Sequence, residues 1–236
     1  MNQLLVTAMN SARNIMQAQA VNTNNLANVS TDGFKAELAF VSEADSEGSV
    51  YSSPDLSAGA VRTTGRDLDI SINGEGWISV LSEDGSEGYS RRGDLKVDAF
   101  GQLSDGADRL ILGNSGPIAL PPFSALEIGT DGTISIQPMG QGPNTMAVVD
   151  RIKLVKIESN ELTRDESGLL RMEPGETASA DASVRIISGS IESSNVNAIS
   201  EMVKMIELAR RFESQVKLMQ DAKENAMALT KIMSMT

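Results

Sequence analysis

Glycine and proline are confined to the middle of this chain. All 20 glycines and all 7 prolines lie between Gly33 and Gly189, and the first 32 and last 47 residues contain neither. Helix interiors exclude both residue types, whereas β-turns need them. The sequence therefore predicts two helical ends that flank a β-rich middle.

The N-terminal end has a helical repeat of apolar residues. Leu5, Met9, Ala12 and Met16 recur at spacings of four, three and four, which places them on one face of a helix. Asn, Gln, Ser and Thr occupy the opposite face, where a surface helix normally carries Lys and Glu. This pattern favours a helix that other protein surrounds, and a simple amphipathic helix lying on its own domain's core is the alternative.

The C-terminal end has a longer repeat of the same kind. Its apolar residues alternate spacings of three and four, at Met202, Met205, Ala209, Phe212, Val216 and Met219. A helix from about Asn197 to Met233 would be roughly 55 Å long. Such a helix gains most of its stability by packing its apolar face. The sequence therefore predicts that the two terminal helices pair across the whole chain.

The middle of the chain alternates short apolar runs with turn dipeptides. Pairs such as Asn73-Gly74 and Asp131-Gly132 bound runs such as Trp77 to Leu81 and Val184 to Ile187. Strands at spacings of about 8 to 12 residues are typical of an antiparallel sandwich or open barrel. The predicted fold class is α+β, with an antiparallel all-β central body, a sandwich or open barrel, flanked by paired N- and C-terminal helices.

Four segments follow from these patterns. Residues 1–33 are predicted to be the N-terminal helix of a terminal-helix assembly domain, and residues 34–67 an extended linker or arm. Residues 68–192 form the predicted β-rich body, and residues 193–236 the long C-terminal helix of the assembly domain. The linker prediction rests on a polar, weakly patterned stretch rich in Ser, Gly and Asp.

Charge and composition exclude several classes of function. The net charge is −12, and because residues 1–31 and residues 196–236 each carry a net charge of +1, residues 32–195 carry −14. An acidic body disfavours nucleic-acid binding, which needs clustered Lys and Arg. The absence of cysteine and histidine removes thiolate nucleophiles, Cys or His metal ligands and every Ser-His relay. No window approaches the roughly 18 apolar residues of a membrane span, and no cofactor or metal is expected.

The segment from Val21 to Lys35 is unusual for a helix and its end. Asparagines at positions 22, 24, 25 and 28 disfavour a solvated helix, because their amides compete for backbone hydrogen bonds. Their presence is explained if the amides bond across a packed interface. Gly33 is predicted to stop the helix in a left-handed conformation, which lets Phe34 fold back onto it.

These residues carry a resemblance to the bacterial flagellar basal-body rod and hook family. Its N-terminal signature resembles Asn24-Asn25-Leu26-Ala27-Asn28 followed by Ser30-Thr31-Asp32-Gly33-Phe34-Lys35. Its C-terminal motif is similar to Glu192-Ser193-Ser194-Asn195-Val196-Asn197, with Glu201-Met202, Met205-Ile206 and Arg211-Phe212-Glu213. The start of its shared β domain resembles Leu68 to Trp77 and Tyr89 to Asp94. The resemblance covers nearly the whole chain, and Trp77, where relatives more often carry Phe, is one departure.

The resemblance implies a structural subunit of the flagellar basal-body rod, the drive shaft of bacterial motility. Chain length favours a rod subunit over the longer hook protein, and a proximal-rod subunit is favoured over the alternative, a distal-rod subunit. The implied partners are other rod subunits, including the distal-rod protein, and the type III export apparatus in transit. The implied location is the periplasmic rod of the basal body, reached without a cleavable signal. No enzymatic activity is implied.

The resemblance also implies where neighbouring subunits meet. The terminal helices would pack with those of neighbours as an inner tube, with the acidic body outside. The motif residues assigned to this interface are Asn24, Asn25, Leu26, Ala27, Asn28, Thr31, Gly33, Phe34, Ser194, Asn195, Val196, Asn197, Met202, Met205, Ile206, Arg211 and Phe212.

Two alternatives come from other classes of function. Asp105, Asp108 and Asp131 lack the spacing of a calcium loop, and Asx-Gly turns account for them. A glycosidase needs only two carboxylates, so an acidic β-domain peptidoglycan hydrolase remains open. A capping or chaperone-like binder, whose terminal helices hold a partner transiently, is the other alternative.

Overall fold

The computed structural model describes residues 2–41, 50–140, 145–158, 161–165, 167–173 and 175–233. Residues 42–49 of the predicted linker lie outside the described residues. The chain forms two compact units. The first, here called the helical unit, comprises residues 1–29, 36–55 and 196–236, and the second, the β unit, comprises residues 30–35 and 56–195.

Two long helices dominate the helical unit. They are α1, Asn2–Ala27, and α2, Ala198–Met233, about 39 and 54 Å long at 1.5 Å per residue. Helix α1 ends six residues before Gly33, so the prediction of a helix over residues 1–33 was too long. The Asn28 amide donates to the Asn24 carbonyl at 3.1 Å, and the chain then leaves the helix through turns. Residues 193–197 likewise precede α2 rather than belong to it.

The helical unit also contains a β-hairpin that the sequence did not predict. Strands β1, Glu37–Val41, and β2, Val50–Pro54, pair antiparallel, and the Phe40 and Tyr51 rings stack with centroids 5.5 Å apart. A third strand, β3, Val61–Thr63, lies in the β unit. The predicted linker over residues 34–67 is thus partly strand. Strands β2 and β3 expose residues on both faces, so they lack the alternation that marks a half-buried strand.

Fourteen further strands are described in the β unit. They are β4 Ile70–Asn73, β5 Trp77–Leu81, β6 Glu87–Ser90, β7 Lys96–Val97, β8 Leu103–Ser104, β9 Leu110–Ile111, β10 Phe123–Ile128, β11 Thr133–Pro138, β12 Ala147–Arg151, β13 Leu154–Val155, β14 Thr163–Arg164, β15 Leu170–Arg171, β16 Arg185–Ser188 and β17 Ser190–Glu192. The predicted Asx-Gly turns link several of them, and Gly132 between β10 and β11 adopts a φ of 86°, which favours glycine.

All described strand pairs are antiparallel, and the sheets are open. The largest sheet has the order β14-β15-β6-β5-β9-β8-β7, with β13 also paired to β5. A second sheet has the order β10-β11-β12, and β16-β4 and β17-β3 form two-stranded ladders. The predicted α+β class is confirmed.

Aliphatic side chains fill the main core of the β unit. Its centre comprises Ile70, Ile78, Val80, Leu95, Leu103, Ile111, Ile134 and Ile152, all essentially buried. A smaller cluster surrounds Trp77 and Tyr89. The low aromatic content of the sequence is therefore sufficient, because Ile and Leu supply most of the buried apolar surface.

Candidate subunit interface

Helices α1 and α2 pack against each other within the helical unit. Among the α1 side chains that the structure describes, Ala8 and Ala12 are the buried apolar ones, and their small size permits a close approach of the helices. On α2, Leu208 is 8% exposed, and Met205 and Phe212 beside it are half-buried. The spacing from Met205 to Leu208 to Phe212 places all three on one helical face. This inner face joins the two helices.

The same helices present a second set of apolar side chains to solvent. The set, here called the outer face, comprises Val6, Met9 and Met16 of α1 and Ile199, Met202, Val203, Ile206, Leu218 and Met227 of α2, each 47–75% exposed. The predicted stripes are thereby divided: Ala12 and Phe212 contribute to intramolecular packing, whereas Met16 and Met202 face solvent. Contiguous exposed apolar side chains are typical of a surface that binds protein.

Asn25 is used inside the helical unit. Its amide nitrogen donates to the Glu37 carbonyl at 2.8 Å, and its amide oxygen accepts from the Glu37 amide at 2.8 Å. The side chain thus bonds to the first residue of β1 as a neighbouring strand would. Asn25 is buried, so the packed interface predicted for its amide is the contact between α1 and the hairpin.

The other asparagines of the segment have different surroundings. Asn22 is buried and donates to the Glu201 carboxylate, a contact that joins the C-terminal half of α1 to the first turn of α2. Asn28 donates to the Asn24 carbonyl at 2.9 Å and so helps to end the helix. Asn24 is exposed. Three of the four asparagine side chains therefore make hydrogen bonds within the helical unit, and Asn24 lies at the surface.

Gly33 and Phe34 belong to the β unit. Gly33 adopts the predicted left-handed conformation, with a φ of 69°, but it does not stop α1, which ends at Ala27. Its role is a close approach, because a Cβ atom there would lie 2.4 Å from the Arg91 carbonyl carbon. The Phe34 ring lies beneath the Arg164 guanidinium, 4.7 Å from ring centroid to Cζ, and forms a cation–π contact.

The C-terminal motif begins α2. The Asn197 side-chain oxygen accepts from the Ile199 and Ser200 amides, both at 3.1 Å, which is the bonding pattern of a helix N-cap. Asn195 donates from its side chain to the Ser57 carbonyl at 3.2 Å. Asn197 therefore acts in starting the helix, and Asn195 within the β unit.

The seventeen predicted interface residues do not all lie at the surface. The exposed members are Asn24, Ala27, Asn197, Met202, Ile206 and Arg211. The half-buried members are Leu26, Asn28, Thr31, Gly33, Phe34, Ser194, Asn195, Val196, Met205 and Phe212. Asn25 is buried.

A buried ionic cluster lies where the chain enters and leaves the β unit. Lys35 donates to Glu192 Oε1 at 2.6 Å and to the Ser57 carbonyl at 2.7 Å. Arg91 donates to Glu192 Oε2 at 3.0 Å. The Lys35 and Glu192 side chains are each 1% exposed and that of Arg91 is 5% exposed. We call these three residues the clasp.

The clasp stabilises the ionised form of Glu192. Burial by itself raises the pKa of this carboxyl, but the hydrogen bonds from Lys35 and the Gly59 amide, with the charges of Lys35 and Arg91, outweigh it. The pKa of Glu192 therefore lies below its ordinary value. Arg91 also lies over the Trp77 ring, 5.0 Å from its centroid, which adds a cation–π contact.

Sequence reasoning did not single out the clasp residues. Lys35 ends the N-terminal motif, and Glu192 begins the C-terminal motif, so a signal was present. It was not recognised because Lys, Arg and Glu are almost never fully buried unless paired, and pairing across 157 residues has no local signature.

Two of the three aspartates considered for catalysis, Asp105 and Asp131, serve turns, as predicted. Asp105 Oδ1 accepts from the Ala107 and Arg109 amides at 2.9 and 3.0 Å, and Asp131 Oδ1 accepts from the Thr133 amide at 3.1 Å. Burial raises the pKa of Asp105 despite these backbone bonds. A raised pKa is typical of a general acid, but the side chain is fully buried and therefore out of reach of a polymer.

One cleft of the β unit is lined by solvent-exposed carboxylates. It has a volume of about 520 Å³, and Glu83 and Asp108 are among its lining residues. Asp108 forms an ion pair with Lys96 at 2.6 Å and is 85% exposed. Arg109 donates to the Ser167 carbonyl in the same lining at 2.9 Å. Glu83 and Asp108 are both solvent-exposed, whereas the general acid of a glycosidase is typically desolvated.

The residues that the structure describes contain no group of three or more acidic side chains placed to hold a metal ion. Neither α1 nor α2, over the part of each helix that is described, combines the length and apolarity needed to cross a bilayer.

Two family models match this chain. The model described as "Flagellar hook protein FlgE/F/G D1 domain" matches residues 71–136, which lie in the β unit. The model described as "Flagellar basal body rod FlgEFG protein C-terminal" matches residues 187–232. The second match contains Glu192 and the α2 part of the outer face.

Known proteins are similar to this chain along its whole length. "Flagellar basal-body rod protein FlgF" of Salmonella typhimurium is 39% identical over 252 aligned positions that cover 100% of both chains. The protein of the same name in Escherichia coli is 38% identical over 252 positions, again covering 100% of both. "Flagellar basal-body rod protein FlgG" of Bacillus subtilis is 30% identical over 257 positions, which cover 93% of this chain and 95% of its own.

Proposed function

The chain belongs to the flagellar basal-body rod and hook family, and from this we propose that it is a structural subunit of the basal-body rod that assembles through the outer face. The observation that carries the proposal is the exposure of Ile199, Met202, Val203 and Ile206. These four residues follow the spacing i, i+3, i+4 and i+7, so they share one side of α2. A neighbouring subunit that covers this side would bury it.

The energy available from this surface suits a repeated assembly. Burying a Val, Ile or Met side chain fully contributes about 1.5–3 kcal/mol, and these four are at least half exposed in the single subunit. Together they would contribute about 3–6 kcal/mol, which one contact would largely lose to the entropy of association. Several neighbours per subunit would therefore be needed, as a tubular assembly provides.

We divide the predicted interface residues into two roles. Met202, Ile206 and Arg211, which are exposed, contact neighbouring subunits in the proposed rod. Asn25 and Gly33 act indirectly: Asn25 holds α1 to the hairpin within the helical unit, and Gly33 permits a close backbone approach within the β unit. Asn197 starts α2 and so fixes where the outer face begins.

The finer assignments are part of the proposal. Identity is higher to the two proteins named FlgF than to the FlgG protein, which supports a subunit of the FlgF type, with the FlgG type as the alternative. We place it in the proximal part of the periplasmic rod, next to the distal-rod protein. It reaches that position through the type III export apparatus without a cleavable signal, and it has no catalytic role.

The deciding experiment is to purify basal bodies after shearing and to identify their subunits by mass spectrometry. The proposal requires this chain to be a stoichiometric component that remains after removal of the hook. A chain that instead releases fragments from purified peptidoglycan, and loses this activity in a Glu83→Gln variant, would be a hydrolase. Recovery only in a soluble complex outside the basal body would identify a transient binder.

A further inference from the structure

The clasp joins parts of the chain that lie far apart in sequence. Lys35 closes the entry segment of the β unit, residues 30–35, and Glu192 is the last residue of β17. The Gly33 amide donates to the Glu192 carbonyl at 2.7 Å, so backbone and side chain meet at the same point. The entry and exit of the β unit are therefore fixed side by side.

The chemistry of the clasp makes this arrangement specific. Glu192 accepts from Lys35, Arg91 and the Gly59 amide, so both carboxylate oxygens have partners. A buried charge whose partner shifts is left uncompensated, which strongly disfavours alternative alignments. Apolar side chains at the same positions would tolerate a shifted entry or exit segment.

We propose that Lys35, Arg91 and Glu192 are positioning residues for the pairing of α1 with α2. By holding the entry and exit of the β unit together, the clasp raises the effective concentration at which the two helices meet. The inference deepens the proposed rod function, on which its use in assembly rests, because the outer face contains residues of both helices. The helix pairing itself takes place within one subunit.

The length dependence of loop closure gives the size of the effect. Asn22 of α1 and Glu201 of α2 are in contact across 179 residues. The Lys35–Glu192 contact closes 157 of these, so that 22 residues of connecting chain remain. Closure probability falls as the 3/2 power of loop length, so complete loss of the clasped arrangement would lower the effective concentration roughly 20-fold. The β17–β3 ladder remains when one side chain is changed, which makes this value an upper bound.

The absence of cysteine from the chain permits a direct measurement. Asn22→Cys and Glu201→Cys, introduced together in the full chain, place thiols at a site where the native side chains touch. Equilibration of this disulfide with a glutathione redox buffer yields the effective concentration of the two helices. Trp77, buried beneath Arg91, reports by its fluorescence whether the β unit remains folded.

The clasp variants are compared in that background. Glu192→Gln leaves two buried cations without a carboxylate, and we expect a 3- to 20-fold fall in effective concentration. Lys35→Met leaves a one-to-one pair of Arg91 and Glu192, so a smaller fall is expected. The double variant Lys35→Met/Glu192→Gln leaves one cation rather than two without the Glu192 carboxylate, so its effective concentration should exceed that of Glu192→Gln alone. Glu75→Gln is the matched control, because the Glu75–Lys156 pair is exposed, at 82% and 53%, and it should leave the value unchanged.

The ordering of the variants decides the inference. The inference is overturned if the effective concentration of Glu192→Gln lies within twofold of the parent value. It is also overturned if Glu75→Gln lowers the effective concentration equally, or if the double variant has a lower effective concentration than Glu192→Gln. If Glu192→Gln unfolds the β unit, Lys35→Met decides, and an unchanged value there overturns the inference. The measurement uses free subunits, so its failure leaves the rod proposal intact, and absence from basal bodies would not alter its result.

Discussion

Replacing Ile206 with aspartate should stop incorporation into the rod without unfolding the free subunit. Ile206 is 56% exposed on the outer face, next to Met202 and Val203. It lies away from Leu208, the one buried apolar residue among the α2 side chains that the structure describes. The substitution therefore alters the surface offered to neighbouring subunits and leaves the contact between α1 and α2 in place.

The expected loss of affinity between subunits follows from the exposed area of the Ile206 side chain. Fully burying an isoleucine contributes about 1.5–3 kcal/mol, so the exposed half of Ile206 has about 1–2 kcal/mol left to contribute to a contact. A carboxylate in the same contact adds a desolvation penalty of several kcal/mol unless it finds a partner. Each 1.4 kcal/mol is tenfold in affinity, so each contact should weaken by at least 100-fold. In the free subunit only a few tenths of a kcal/mol of helix propensity are lost.

The assay combines swimming in soft agar, mass spectrometry of purified basal bodies and circular dichroism of the free subunit. Ser179→Asp is the matched control, since it places the same aspartate at an exposed polar position of the β unit, outside the outer face, and should behave as the parent. Leu208→Asp is the contrasting variant, because a charge at this buried position should lower the helix melting temperature itself. Normal swimming and normal incorporation of the Ile206→Asp subunit would refute the proposed use of the outer face.

Three smaller predictions concern contacts inside the subunit. Asn25→Ala removes the two hydrogen bonds that join Asn25 to the Glu37 amide and carbonyl, so it should destabilise the hairpin by about 1–3 kcal/mol and speed exchange of the Glu37 amide, and unchanged exchange would contradict the Asn25 contact. Gly33→Ala should lower the Tm of the β unit by more than Gly65→Ala, because both have positive φ but only Gly33 lacks space for a Cβ; equal shifts in thermal denaturation would refute the close approach. Because folding lowers the pKa of Glu192 below its ordinary value of 4.5, its contribution is present above that pH and is lost as the pH falls through the folded-state pKa. The stability difference between the parent and Glu192→Gln, measured in urea, should therefore shrink between pH 7 and pH 3.

The bounds of helices and strands could be predicted to within a few residues wherever neighbouring residues carried the pattern. The strand from Trp77 to Leu81 was predicted with the bounds that the structure has, since its apolar run is bounded by turn dipeptides. Helix α2 was likewise predicted to run to Met233 and begins one residue after the predicted start. The hairpin of β1 and β2 was missed, because β2 exposes residues on both faces and so has no apolar alternation to mark it.

The candidate site was predicted less completely. Its apolar stripes were identified, but the sequence did not separate Met202, which faces solvent, from Met205, which lies on the inner face. Two neighbouring apolar stripes on one helix are separated by only about 100° around the helix axis. Composition does not reveal which of the two stripes faces the partner helix. The asparagine-rich segment was recognised as unusual, whereas the bonding of Asn25 to Glu37 required the fold.

By itself, the sequence determined the order of elements in this protein: helical ends without glycine or proline, an acidic β-rich middle, and motifs that identify its family. Those properties depend on residues close together along the chain, where backbone propensity and periodicity act. Only the tertiary structure decided which apolar face stays exposed, and that Lys35, Arg91 and Glu192 meet in one buried cluster. The reason is distance along the chain: a contact across 157 residues is specified by the packing of everything between its partners.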